Sequence, residues 1–101
     1  MKVQIHPKAT AEIYGIYGYL CDAFSERLAD KKVAQIYKDI YMLGNNPFMG
    51  RSVDGNDKNL RQFFSAPNII IYDINDRALE ILHVVDARSD YIQNLRYLFE
   101  R

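Results

Sequence analysis

Leu60-Arg61-Gln62-Phe63-Phe64-Ser65-Ala66-Pro67-Asn68-Ile69-Ile70-Ile71-Tyr72-Asp73-Ile74 is the stretch that decides the fold of this chain. Its first six residues alternate. An extended backbone puts Arg61, Phe63 and Ser65 on one face and Leu60, Gln62 and Phe64 on the other. Ala66-Pro67-Asn68 interrupts the run as a turn. Ile69 to Ile74 is β-branched and nearly continuous, the composition of a central strand covered on both faces. Asn75-Asp76 ends it, and Leu79 to Val85 reads as a further strand, with Leu79, Ile81, His83 and Val85 alternating against Glu80, Leu82 and Val84. Three strands joined by such short turns make an antiparallel meander.

Upstream, Phe48 to Asn59 holds Gly50, Asp54, Gly55, Asn56 and Asp57 and is expected to be a loop. Two apolar stripes at helical spacing precede it. Ala9, Ile13, Ile16, Tyr17, Leu20 and Phe24 recur every three or four residues behind His6-Pro7, where proline suits a first helical turn. Gly15 and Gly18 weaken that helix by roughly 1 kcal/mol each relative to Ala, and the expected return is close approach of another element. Ser25 is a natural N-cap with Glu26 in the first turn. The second stripe is Ala29, Val33, Ile36, Ile40 and Leu43, stopped by Gly44-Asn45-Asn46-Pro47. Lys2 to Ile5 reads as a short first strand, and Ser89 as the cap of a terminal helix bearing Ile92, Leu95 and Phe99. The order β-α-α-β-β-β with that last helix defines an α+β chain. It comprises an N-terminal strand, an antiparallel helical hairpin packed on a mostly antiparallel β-sheet, and a short C-terminal helix, all in one domain spanning 1–101.

Composition narrows the function. Hydrophobic residues make up 49% and charged residues 26% of the chain, which is a globular rather than a disordered balance. Thirteen basic side chains are offset by thirteen acidic ones, for zero formal net charge. A protein living on phosphate contacts usually carries a basic excess, because each neutralised phosphate needs a cation. Cys21 is the single cysteine, so no disulfide can form within the chain, and it is expected to be a small buried side chain. Met1 to Ile5 is too short and polar for a signal peptide, and no apolar run approaches membrane-spanning length. The cytoplasm is the expected compartment, with no membrane partner.

Cofactor and metal signatures are missing from the sequence. His6 and His83 stand far apart, without the Cys, His or carboxylate spacing of a zinc site. Gly15 and Gly18 fall inside a helix rather than in a phosphate loop, and Ser25, Ser52, Ser65 and Ser89 lack a nucleophile-elbow context. No cofactor or metal is expected. For single residues, Arg51 reads as a solvated loop cation. Arg61, between Leu60 and Phe63, needs a carboxylate, carbonyl or anion, and Asp73 and Asp86 on neighbouring strands are candidate partners. Tyr72 reads as core with its hydroxyl reaching a polar edge. His83 reads as a satisfied core histidine rather than a general base.

Taken together, Leu43, Pro47, Gly50 and Arg51, then Leu60-Arg61-Gln62-Phe63, then Ile69-Ile70-Ile71-Tyr72, then Ile81-Leu82-His83 and Asp86-Ala87-Arg88 form an ordered series. In order and spacing it resembles the RelE/ParE superfamily, the toxins of bacterial type II toxin–antitoxin modules, and more closely the ParE-like, plasmid-stabilisation branch. The resemblance runs from His6-Pro7 through Arg88. It implies a growth-inhibiting toxin that targets DNA gyrase and is neutralised by a cognate antitoxin, as a homodimer or a heterotetramer with that antitoxin. Arg51, Arg61 and Arg88 are then the target-binding candidates, with Tyr72, Pro7, Pro47 and Gly50 structural. The RelE-like branch implies an alternative, an endoribonuclease that cuts messenger RNA on the ribosome. In that case Arg61, Arg88, Tyr91 and His83 are the catalytic candidates, supplying acid–base help and cationic stabilisation of a phosphorane. Lys58 is the only lysine between Arg51 and Arg61, a thin basic cluster for that chemistry, so a protein that is not itself an enzyme is the favoured expectation. A third reading is a non-toxic interaction module that keeps the fold.

Overall fold

The computed structural model describes residues 1–88; the expected terminal helix, with Ser89, Tyr91, Ile92, Leu95 and Phe99, lies outside them. The described chain runs β1 (Val3–Ile5), α1 (Pro7–Ala23), α2 (Glu26–Asn45), β2 (Arg51–Asp54), β3 (Asp57–Ser65), β4 (Asn68–Ile74) and β5 (Leu79–Asp86). Five strands form one sheet in the order β1-β5-β4-β3-β2. β2 through β5 are an antiparallel meander, and β1 closes the other edge parallel to β5.

Local chemistry sets the helix ends. Pro7 opens α1, and the His6 ring Nδ1 accepts from the Lys8 N–H at 3.2 Å. Only Phe24 and Ser25 separate the helices; Ser25 Oγ accepts from the Leu28 N–H at 3.1 Å and caps α2. So short a connection forces an antiparallel hairpin. The Tyr17 hydroxyl ties the two helices by donating to Asp30 Oδ1 at 2.9 Å, and that carboxylate acceptor, more than any other influence, raises the pKa of the Tyr17 phenol.

The main core lies between hairpin and sheet. Ala9 and Ile13 of α1 and Ile36, Ile40 and Leu43 of α2 meet Ile70, Tyr72 and Ile74 of β4 and Leu79, Ile81 and Val84 of β5. Each such aliphatic side chain contributes about 1.5–3 kcal/mol on full burial. A smaller cluster, Ile71 and Val85 with Val53, Leu60 and Ile69 against them, forms a second apolar group on the sheet.

Four sequence expectations are corrected. Residues 51–54 and 57–59 are strand rather than loop, because Arg51 and Ser52 pair with Gln62 and Arg61, Asp54 pairs with Asp57, and β3 begins at Asp57. The alternation expected for residues 79–85 breaks at Leu82. Ile81 pairs with Tyr72 and His83 with Ile71, so one residue is extra, as in a β-bulge. Val84 therefore joins Leu79 and Ile81 in the main core, and Val85 joins the smaller cluster. Gly15 and Gly18 receive no close neighbour among the described residues, where an added Cβ at either would meet no heavy atom within 4 Å. The close approaches are at Gly44, where a Cβ would sit 2.6 Å from Val3 Cγ2, and at Gly50. Cys21 is half-buried rather than buried.

Candidate functional site

Two places on the described chain could serve as a site, and the first gathers residues singled out by the sequence. The first is a bracket at the β3–β4 side of the sheet. Tyr72 is completely buried on β4. Its hydroxyl accepts from the Gly50 N–H at 3.0 Å and donates to the Pro47 carbonyl at 2.7 Å. Burial pushes the phenol above its usual range, while the Gly50 N–H and the Arg61 charge oppose the shift. Gly50 is required because a Cβ there would lie 2.5 Å from the Tyr72 hydroxyl and 2.6 Å from the Gln62 carbonyl oxygen. Arg61, paired across strands with Tyr72, donates from Nε to the Gly50 carbonyl at 2.8 Å and from Nη1 to the Lys58 carbonyl. Its guanidinium also lies 5.1 Å from the centre of the Phe48 ring. Arg61 thus gives two of its five N–H donors to carbonyls, and neither Asp73 nor Asp86, the carboxylates expected from sequence, receives them. Asp73 pairs with Leu60 on one side and Glu80 on the other. Asp86 holds Arg88.

The remaining candidates are dispersed. Arg51 is exposed on the edge strand β2. Arg88 grips Asp86 with both its backbone and its guanidinium, Nη2 to Oδ2 at 2.8 Å and Nε to Oδ1 at 3.1 Å. That hydrogen bonding draws the Asp86 carboxyl down to about 2 and raises the guanidinium in return. His83 is buried, its Nδ1 3.2 Å from Glu12 Oε1 of α1; the same carboxylate oxygen accepts from the Val84 N–H at 3.1 Å. Glu12 thereby fastens α1 to the bulged part of β5. Arg61, His83 and Arg88 are each committed to a different partner, and Tyr91 lies outside the described residues. No three His, Cys, Asp or Glu side chains among the described residues are grouped to hold a metal ion. No described helix is long and apolar enough to cross a membrane.

The second place was not foreseen. A groove of about 910 Å³ opens where the tip of the helical hairpin runs past the end of the sheet. Ile16, Leu20 and Phe24 of α1, Leu28 of α2 and Val84 and Val85 of β5 supply its apolar lining, and the β3–β4 turn around Pro67 closes one side. Leu20 and Phe24 belong to the apolar α1 stripe, yet neither joins the main core, and Phe24 remains 65% exposed. The available signal was length. The α1 stripe continues for three turns beyond Ala9 and Ile13, the only α1 residues fully buried.

Comparison with known proteins agrees with this architecture. Residues 3–91 match the family described as the ParE toxin of type II toxin-antitoxin system, parDE. No curated protein sequence matches the chain. Among solved structures, a chain of the chromosomal ParDE toxin–antitoxin system from P. aeruginosa is similar in fold. The TM-score is 0.74 at 18% identity, with 85% of this chain and 95% of that chain covered.

Proposed function

This chain belongs to the ParE toxin family of type II toxin–antitoxin systems, and from that membership we propose that it is the toxin of such a module, inhibiting growth through DNA gyrase in the cytoplasm. The observation that carries the choice of target is the separation of Arg61 and Arg88, each held by a different partner among the described residues. A ribosome-dependent nuclease must stabilise a phosphorane with converging positive charge and supply an acid–base pair. Here Arg61 is spent on the Gly50 and Lys58 carbonyls, Arg88 on Asp86, and the formal charge is zero. A protein-directed poison needs only a shaped surface. Exposed Arg51 with the neighbouring Met49 and Phe64 supplies one on the β2–β3 side.

The cognate antitoxin is the second half of the reading. The apolar groove along α1, Phe24 at its rim, suits an amphipathic segment that folds as it binds. Expression in bacteria, alone and together with the antitoxin encoded beside it, tests the proposal. Growth should stop in the first case and recover in the second. Equal growth in both would remove the toxin reading and leave a non-toxic interaction module.

A further inference from the structure

Resting on the toxin–antitoxin reading, we propose that the groove selects its antitoxin at two points: a large apolar side chain seated against Gly15 and a carboxylate held by Lys32. Gly15 lies in the α1 wall of the groove, where an added Cβ would meet nothing within 4 Å among the described residues. The wall therefore carries no side chain at that level, while Ile16 and Tyr19 line the groove beside it. A glycine inside a helix costs about 1 kcal/mol relative to alanine. Gly44 and Gly50 each make a close approach that accounts for them, and no described element makes one at Gly15. A partner side chain seated against Gly15 gives the glycine its use.

Charge completes the description of the occupant. Among the described residues, four charged ones line the groove: Glu12, Lys32, Asp86 and Arg88. Glu12 is engaged by His83 and the Val84 N–H, and Asp86 and Arg88 hold each other. Lys32 is half-buried and makes no ion pair among the described residues. An ammonium beside an apolar wall is best satisfied by a carboxylate. The fitting partner is thus an amphipathic antitoxin segment that sets a Leu-, Ile-, Phe- or Met-sized side chain against Gly15 and an Asp or Glu over Lys32.

Titration calorimetry of the full chain with its antitoxin tests both points against adjacent controls that do not line the groove. Gly15→Leu is set beside Gly18→Leu, and Lys32→Glu beside Lys31→Glu. Both leucine variants favour the helix, so neither should lower the unfolding temperature. The inference expects Gly15→Leu and Lys32→Glu to weaken binding on the order of tenfold or more, with the controls within about twofold of the parent chain. Groove and control variants binding alike would overturn it while leaving the toxin–antitoxin reading intact. An antitoxin that fails to bind the unsubstituted chain would overturn both.

Discussion

At the scale of single residues, the positions that make this chain recognisable hold one another in place. Pro47, Gly50, Arg61 and Tyr72 form a closed set: the tyrosine hydroxyl bridges Pro47 and Gly50, and the arginine donates to Gly50 while stacking on Phe48. The arrangement predicts opposite behaviour for two arginines. Arg61→Ala strands two carbonyls and removes the ring contact, so it should lower stability by about 2 kcal/mol in denaturant unfolding. Arg51→Ala should stay within about 0.5 kcal/mol of the parent and yet reduce growth inhibition, since of Arg51, Arg61 and Arg88 it alone is exposed without an ion pair or side-chain hydrogen bond among the described residues. A stable Arg61→Ala protein that has lost toxicity would return Arg61 to the target surface. The sequence made Arg61 stand out for a sound reason, a guanidinium on a strand between apolar neighbours. What it could not give was the partner, because backbone carbonyls carry no residue identity and the Gly50 turn reaches Arg61 only after β2 folds back.

At the scale of elements, legibility followed hydrophobic contrast. The α1 and α2 stripes and the isoleucine run of β4 are strongly patterned, and all three form where the pattern puts them. β2 contains one apolar residue, Val53, among Arg51, Ser52 and Asp54, so no alternation announces it; its pairing with β3 supplies the stability that its own side chains do not. Polar and charged residues there also suit an edge strand that must not recruit further strands. The bulge at Leu82 is invisible for a related reason: a single inserted residue shifts the pattern by one without changing composition. The sheet also carries a visible electrostatic cost. Asp73 faces Glu80 across the β4–β5 ladder, and burial first, then Asp57 and Glu80, hold its carboxyl above the ordinary carboxylate range. A carboxylate whose folded pKa is raised favours the folded state below its unfolded value, and that advantage is lost as pH rises through the folded pKa. Asp73→Asn should therefore stabilise the protein by roughly 0.5 kcal/mol at neutral pH. The gain should shrink in thermal scans as the pH is lowered toward about 4. A gain that did not depend on pH would assign the effect to packing instead of charge.

Over the whole molecule, the hairpin and sheet share a core at one end and diverge at the other, and that divergence produces the groove. The sheet order brings β5 under α1, and Glu12 pins the two together beside the bulge. Beyond that point Leu20, Phe24 and Leu28 line the groove and stay outside the main core. The sequence encoded this surplus as an ordinary helix stripe, since a residue that waits for a partner and one that enters the core look identical in a periodicity. The architecture offers a surface for a protein partner, while Arg61 and Arg88, two of the cations the nuclease reading needs, are committed to separate partners. The most direct test of the proposed target pairs a gyrase supercoiling and cleavage-complex assay with an in vitro translation reaction, both run with purified protein. The account predicts inhibited supercoiling or trapped cleavage complexes with messenger RNA left intact. Codon-positioned cuts in the RNA with gyrase unaffected would contradict it.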